Sequence, residues 1–170
     1  MKKEVFILGL SMFCISVGFS QSKYQTAIGG RLGNGYTDLI AASFKSFLGD
    51  SPGAVELNLG FKPNYSAYDV FNLSLSASYQ YHFEIEQVDG LQWFVGGGLT
   101  AYHSFASDPD YRGFGLGIFP TGGIDYKISG LPLNVSADIR PTIRISAPRY
   151  YDYSNFYFAN FGVSARYTLR

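Results

Sequence analysis

The feature that most constrains the fold is a two-residue alternation in the middle of the chain. Residues 71–85 read FNLSLSASYQYHFEI: the odd positions are apolar or aromatic, apart from the small Ala77, and every even position is polar. Because successive side chains of a strand point to opposite faces, this pattern predicts a strand with one apolar and one polar face. Its fifteen residues far exceed the five or six of an ordinary strand. The central question is which face looks inward.

Seven further segments show the same two-residue period, and turn residues close each of them. They predict an all-β chain of eight antiparallel strands, without a segment of helical period and without a second domain. The residues GNG at 33–35 predict a tight first hairpin. The predicted strands are 23–32, 36–48, 54–62, 71–85, 91–102, 114–128, 131–145 and 156–169.

The connections between these strands differ in length in a regular way. The second, fourth and sixth are short, whereas the third, fifth and seventh are longer, and only the tight first hairpin departs from the rule. An even number of strands, with short turns at one end and longer loops at the other, is typical of outer-membrane β-barrels. The spacing therefore favours an eight-stranded up-and-down barrel.

Alternation alone fits two kinds of fold. A soluble barrel or sandwich has its apolar face inside, whereas a transmembrane barrel has its apolar face on lipid. Most segments reach the nine to eleven tilted residues that cross a bilayer. The polar face is rich in Ser and Gly, which suits a crowded lumen. If the chain starts on the inner side, aromatic residues of the apolar face gather near the short-turn end, as expected at a membrane interface. These are Tyr81, Phe83, Trp93, Tyr126 and Tyr167.

The composition agrees with a transmembrane barrel. Charged residues make up 15% of the chain, against roughly 25% in a typical soluble domain, and aromatic residues reach 18%. The formal net charge is zero, which gives no electrostatic reason to expect nucleic acid as a partner.

The N-terminus predicts export. Two lysines are followed by the apolar run VFILGLSMFCISVGF and then by the small residues of FSQS. This pattern predicts a signal peptide over 1–20, cleaved after Ser20, and a barrel domain over 21–170. A retained anchoring helix is the alternative, but the apolar run is short for a membrane span. Cys14, the single cysteine, follows Phe13, where a lipoprotein needs a small residue. Because Cys14 lies within the predicted signal peptide, we expect the mature chain to have no thiol chemistry.

The C-terminus carries a resemblance. Residues 160–170, NFGVSARYTLR, alternate up to the penultimate position and resemble the signal by which the barrel-assembly machinery recognises outer-membrane barrels, although Arg170 follows the last apolar residue. Together with AIGGRLG at 27–33, the mature chain resembles the small eight-stranded barrels of the OmpA and OmpX type, and among them uncharacterised barrels of Bacteroidota. The resemblance implies a monomer in the bacterial outer membrane, in contact with lipid and lipopolysaccharide.

Alternation places twelve ionisable side chains on the inner face. An eight-stranded lumen is just wide enough for side chains to fill it, and buried charges must pair. Lys45 and Glu56 flank the turn at 49–53 and are predicted to face each other. We therefore expect a polar plug, with an ion or proton pathway as the alternative. The residues are Arg31, Lys45, Glu56, Lys62, His82, Glu84, Asp125, Lys127, Asp138, Arg140, Arg144 and Arg166.

Catalytic and metal sites find little support. His103 and Ser104 lie near the outer rim, where some lipid A-modifying barrels carry a His and a Ser, but no acid is placed to orient the ring and the spacing differs. Asp108, Asp110 and Asp152 lack the dense spacing of a calcium loop. The glycines at 96–98 lie inside a strand, not before a helix. We predict no catalytic, cofactor-binding or metal-binding residues.

The sequence thus predicts a non-catalytic barrel that contributes to the envelope or presents its outer loops to a ligand or partner. The segment 148–155, with its aromatic and polar residues, has the composition of a recognition surface. A lipid A-modifying enzyme and a narrow ion channel are the alternative functions.

Overall fold

The computed structural model describes residues 24–35, 37–64, 70–148 and 155–169. In these ranges the chain forms ten strands and a single 3₁₀ turn, Pro109–Tyr111, and no helix is long and apolar enough to cross a membrane. The strands are β1 (Thr26–Gly33), β2 (Ile40–Phe47), β3 (Gly53–Asn64), β4 (Val70–Glu84), β5 (Leu91–Phe105), β6 (Gly113–Lys127), β7 (Leu133–Ile139), β8 (Thr142–Ser146), β9 (Phe156–Tyr157) and β10 (Phe161–Leu169).

The strands close into an eight-stranded antiparallel barrel. Each strand from β1 to β6 pairs with the next, β7 and β8 together form the seventh barrel strand against β6, and β9 and β10 form the eighth. The last strand returns to the first, with Thr26 opposite Leu169 and Gly33 opposite Gly162. Closure removes both sheet edges, so the ladder leaves no open edge for another chain to extend.

The seventh and eighth barrel strands are each interrupted at the same level, which the sequence pattern did not predict. Residues Arg140 and Pro141 separate β7 from β8, and residues 158–160 separate β9 from β10. Pro141 has no N–H to donate to the ladder, and Arg140 N donates instead to Asn160 O at 2.8 Å. The interruption therefore follows from a proline inside the predicted strand 131–145.

The barrel carries its polar face inside and its apolar face outside. On the outer surface Leu32 and Ile145 are 64% and 65% exposed, whereas the inward Arg166 is 1% exposed. The same inversion holds along β4, where Asn72 and Gln80 are buried and the intervening odd positions face out. This arrangement answers the question raised by residues 71–85: the Phe, Leu and Tyr face looks outward.

Two predicted connections differ from the structure. The first is no tight hairpin, because β1 ends at Gly33 and β2 begins at Ile40, and Gly35 N donates to Asp38 O inside the wider connection. The third, at 65–69, is no longer than the short ones, because β3 extends to Asn64. The short inner turns 48–52, 85–90 and 128–132 are as predicted, and the longest connection, 147–155, lies at the other, outer end.

Adjacent glycines on β5 face opposite sides of the wall and differ in the space around them. A Cβ added at the inward Gly96 would lie 2.0 Å from Tyr79 O and 2.9 Å from Gln80 Cα, both backbone atoms of β4. At the outward Gly97 the nearest atom would be Phe119 O at 3.5 Å, an ordinary contact. Glycine at 96 therefore lets β4 and β5 approach closely where the wall curves.

We predict that Gly96→Ala destabilises the barrel and that Gly97→Ala does not. Overpacking against backbone atoms costs about 1–3 kcal/mol, whereas an exposed substitution stays within about 0.5 kcal/mol. Urea unfolding in detergent micelles, followed by the fluorescence of Trp93, the only tryptophan, measures both variants against the unmodified protein. Equal midpoints for the two variants would contradict the assignment of inward and outward faces on β5.

Candidate functional site

The lumen contains a continuous network of ion pairs. At its outer end Arg31 on β1 binds two carboxylates: Nη1 donates to Asp38 Oδ2 at 2.6 Å, and Nη2 donates to Asp138 Oδ1 at 2.8 Å. Asp138 also accepts a hydrogen bond from Arg140 Nε at 2.8 Å. Asp38 lies in the first outer connection and Asp138 lies on β7. The two ion pairs of Arg31 therefore link that connection to β7.

Glu56 on β3 lies at the centre of the network. Its Oε1 accepts from Arg140 Nη2 at 2.6 Å, and its Oε2 lies 2.9 Å from Arg166 Nη2. The amides of Asn58 and Gln80 donate to the same carboxylate at 2.9 and 3.0 Å. Glu56 is 1% exposed, so these four groups replace the water that a buried carboxylate loses.

A second anionic centre, Asp125 on β6, lies at the inner end. It pairs with Lys45 Nζ and accepts from Asn134 Nδ2, and the Tyr24 hydroxyl lies 3.4 Å from both of its oxygens. Arg166 Nη1 donates to Asn134 Oδ1 at 3.3 Å, which links this centre to Glu56. Burial, and next the negative charge of Asp125, raise the pKa of Tyr24 well above 10, so this hydroxyl keeps its proton.

An aromatic layer closes the inner end of the lumen. The ring of Phe47 packs edge-on against Tyr24 at 5.2 Å and lies 4.8 Å from His82, whose ring also lies 5.1 Å from that of Phe94. His82 Nδ1 lies 3.3 Å from Pro52 O, in the adjacent inner turn. The alternation did not predict this layer, because Phe47 and Phe94 are apolar residues on an otherwise polar face.

Two spaces lie beside the network of ion pairs, one in the lumen and one at its inner mouth. A cavity of about 20 Å³ between Tyr102, Thr142 and Asn160 remains in the outer half, which is room for about one water molecule. A wider recess of about 210 Å³ at the inner mouth borders Tyr24 and the turn at 85–90. The ion pairs described above, all among the described residues, join the cations Arg31, Lys45, Arg140 and Arg166 to the anions Asp38, Glu56, Asp125 and Asp138.

Most of the predicted inward charges lie in the lumen, and four do not lie deep within it. Glu84 lies on the inward face at the inner end of β4, where it is exposed in the recess of the inner mouth beside Tyr24 and Gln92. Lys62, Lys127 and Arg144 are partly exposed near the strand ends; Lys62 Nζ donates to Gly35 O at 2.6 Å. The buried members are Arg31, Lys45, Glu56, His82, Asp125, Asp138, Arg140 and Arg166.

Lys45 and Glu56 are direct cross-strand neighbours, as predicted. Their ion pairs nevertheless go elsewhere: Lys45 pairs with Asp125, and Glu56 with Arg140 and Arg166. The partners come from β6, from the link after β7 and from β10, across the lumen. Sequence patterning cannot identify them, since it gives the face of a residue but not the residues on the opposite wall.

The structure separates His103 from Ser104. Ser104 is fully buried in the lumen and donates to Asn72 Oδ1 at 2.6 Å, whereas the His103 ring lies on the outer face, 4.5 Å from that of Phe105. Because neighbouring residues of a strand point to opposite faces, the two side chains cannot reach each other. A His-activated Ser is therefore incompatible with this strand.

The predicted outer-loop residues form no metal cage in the described ranges. Asp108 precedes the 3₁₀ turn and accepts from Asp110 N at 2.9 Å, which uses its carboxylate as a cap. No group of three His, Cys, Asp or Glu side chains that could hold a metal occurs among the described residues. Asp152 and most of the segment 148–155 lie outside those residues.

Aromatic side chains form two bands on the outer surface. At the inner end the Phe83 ring stacks on Trp93 at 4.2 Å. At the outer end Phe71 stacks on Phe105 at 4.7 Å, and Phe114 lies in the next strand, opposite His103. Only the inner band was predicted from the sequence. The outer band could have been found, because β4, β5 and β6 each carry an aromatic pair twelve residues apart.

A solved structure shares this fold. The crystal structure of Neisserial surface protein A (NspA) is similar with a TM-score of 0.56 and 13% sequence identity, over 85% of this chain and 95% of the NspA chain. At this identity the similarity concerns the fold alone. No family model matches the sequence, and no curated protein matches it.

We predict that Glu56→Gln strongly destabilises the barrel, because it leaves Arg140 and Arg166 without their shared counter-charge. Breaking a buried ion pair costs about 3–5 kcal/mol. Glu86→Gln, at an exposed position of an inner turn, is the matched control and should stay within about 0.5 kcal/mol. Urea unfolding in micelles measures the difference. A Glu56→Gln midpoint equal to that of the control would show that the network does not hold the barrel together.

Proposed function

We propose that the protein is a bacterial outer-membrane β-barrel that acts without catalysis. After export and removal of residues 1–20, it would lie in the membrane as a monomeric barrel with a plugged lumen. Its role would be to strengthen the envelope or to bind a ligand or partner at its outer end. The observation that carries the proposal is the pair of aromatic bands on an apolar outer surface.

The distance between the bands supports insertion in a bilayer. Phe71 and Phe83 on β4, Trp93 and Phe105 on β5, and Phe114 and Tyr126 on β6 are each twelve residues apart. At about 3.3 Å per residue and a tilt of roughly 45°, twelve residues rise about 28 Å along the barrel axis. The apolar band of outer-membrane barrels is about 25 Å tall and is flanked by aromatic girdles. The same spacing on three neighbouring strands therefore fits one flat slab of hydrocarbon.

The outer end supports a role at the cell surface. The longest connection, 147–155, lies at that end, as does the connection that carries the 3₁₀ turn. NspA, which shares the fold, is named a surface protein. Contact with lipopolysaccharide and insertion by the barrel-assembly machinery belong to the same proposal.

The two alternative functions fit the geometry less well. A lipid A-modifying enzyme needs a nucleophile and a base within hydrogen-bonding reach, whereas Ser104 and His103 lie on opposite faces. A channel needs a continuous aqueous path, whereas the ion pairs and the aromatic layer occupy the lumen. A proton relay is also disfavoured, because arginine, which does not give up its proton in proteins, lies between the carboxylates of Asp138, Glu56 and Asp38.

We predict that the protein resists SDS until heated. Extracted from the outer-membrane fraction in detergent, the unboiled sample should migrate differently from the boiled one, since closed barrels keep their hydrogen-bonded wall in SDS. Gel mobility before and after boiling measures this directly. As a control, Gly96→Ala should lower the temperature of the band shift relative to Gly97→Ala. A protein recovered in aqueous buffer, with one band under both conditions, would contradict the proposal.

We also predict that the purified barrel is electrically silent in a planar lipid bilayer, because its lumen holds the six ion pairs described above and a closing aromatic layer. The measurement is single-channel current under applied voltage, with Arg140→Gln compared with His103→Gln on the outer face. Discrete current steps that change with Arg140→Gln, but not with His103→Gln, would establish a channel instead.

A further inference from the structure

The first outer connection, residues 34–39 between β1 and β2, supplies one of the paired anions of the lumen. Among the described residues the ion pairs join four cations to four anions. Three of these anions, Glu56, Asp125 and Asp138, lie on strands of the wall. The wall therefore contributes one paired cation more than paired anions, and Asp38 from the connection supplies the remaining negative charge.

Arg31 is the residue that receives this charge. Its Nε and Nη2 donate to the two oxygens of Asp138 at 3.2 and 2.8 Å, and its Nη1 donates to Asp38 Oδ2 at 2.6 Å. The side chain of Arg31 has no exposed area, whereas that of Asp38 is 15% exposed. One edge of the guanidinium is thus held by the wall, and Nη1 binds an anion on the side of the outer connection.

Glycines of the wall leave the space that this ion pair occupies. A Cβ added at Gly33 would lie 2.6 Å from Arg31 Nη1, and one added at Gly162 would lie 2.2 Å from Arg31 Nη2. A Cβ added at Gly60 would lie 2.6 Å from Asp38 Cβ. Since the three glycines belong to β1, β10 and β3, the wall itself forms a cradle for the guanidinium and for the carboxylate bound to it.

The cavity of about 20 Å³ in the outer half of the lumen adjoins Asp38. Its size admits about one water molecule, or one further oxygen of a group bound at Arg31. A phosphate, which carries more oxygens than a carboxylate, would therefore find hydrogen-bonding side chains beside the guanidinium. Those that line the cavity are Thr37, Thr100, Tyr102, Arg140, Thr142 and Asn160.

We propose that Arg31 and the adjoining cavity form a binding site for an oxyanion, a carboxylate or phosphate group of a molecule outside the cell, and that Asp38 occupies this site when the oxyanion is absent. The inference rests on the proposed function and deepens it, because it names the chemistry of a ligand at the outer end. A guanidinium binds carboxylates and phosphates through the same N–H···O contacts, so the Asp38 carboxylate identifies the class of group that Nη1 binds.

Exchange of anions is favoured over a simple opening of the connection. If Asp38 left with nothing in its place, Arg31 would keep only Asp138, which it shares with Arg140, and a buried cation short of counter-charge is costly. An incoming oxyanion keeps the number of opposite charges constant. Asp38 lies outside the strands and is partly exposed, so its departure breaks no strand pairing.

Removal of the Asp38 carboxylate tests whether the site accepts a free anion. Asp38→Ala should lower the midpoint of urea unfolding in micelles, and acetate, which replaces the lost carboxylate, should raise that midpoint saturably relative to chloride at equal ionic strength. Asp38→Asn fills the same space without charge and should be destabilised but not rescued. Asp110→Ala removes an exposed carboxylate at the same end, and its response to acetate should equal that of the unmodified protein. If Asp38→Ala folds only in acetate, the yield of heat-shifting protein in acetate and in chloride makes the same comparison.

The same variants identify the source of the oxyanion. Because Asp38 competes for Arg31 in the unmodified protein, Asp38→Ala should bind inorganic phosphate about tenfold more tightly, the factor that corresponds to one charge-assisted hydrogen bond. The rise of the unfolding midpoint with phosphate concentration gives both affinities. A response to phosphate alone assigns the site to a free anion. A response to lipopolysaccharide at lower concentrations, lost when its phosphates are removed, assigns the site to a lipid headgroup.

The outcomes separate this proposal from the proposed function. A heat-shifting barrel in which acetate and chloride give equal midpoints for Asp38→Ala would overturn the oxyanion site alone, and the Arg31–Asp38 pair would be a structural contact only. Equal stabilisation of Asp110→Ala and Asp38→Ala by acetate would also overturn it, since that is a general effect of the salt. A protein that neither shifts on heating nor needs detergent would overturn both proposals together.

Discussion

The pairing of Glu56 with Arg140 and Arg166 is the interaction on which the rest of the structure depends. It joins β3 to the seventh and last barrel strands across the lumen, and Asp138 and Asn134 extend it to Arg31 at one end and Asp125 at the other. A charge taken out of water is costly unless it is paired and hydrogen-bonded. Each strand that contributes a charged side chain therefore needs its partners across the lumen, and the closed wall is the arrangement that supplies them.

The apolar exterior follows from the same arrangement of side chains. With a two-residue period, every inward polar residue places its neighbours on the outer surface, so a lumen filled with ion pairs leaves the branched and aromatic residues facing out. The bands at both ends give that surface a defined height. A lumen occupied by ion pairs, an apolar belt and connections that are longest at one end together support the proposal that the barrel interacts through its outer surface and its outer end.

Several features were predictable because they depend only on local spacing. The alternation gave the number of barrel strands, their up-and-down order and the face of nearly every residue, including the buried Lys45, Glu56 and Arg166. It was wrong where a strand is interrupted or ends. Pro141 removes a ladder donor and divides the seventh strand, and the glycines at 33–35 open a wider connection because Gly33 still belongs to β1. The outer aromatic band was present in the sequence as a twelve-residue spacing.

By itself, then, the sequence determined an all-β chain with eight alternating strands, one polar and one apolar face on each, and a lumen that must hold opposite charges. Only the tertiary structure decided which charges meet and that an aromatic layer of Tyr24, Phe47, His82 and Phe94 closes one end. The physical reason is that side-chain direction follows from the backbone of a single strand, whereas contacts across the lumen depend on the register, tilt and closure of all eight.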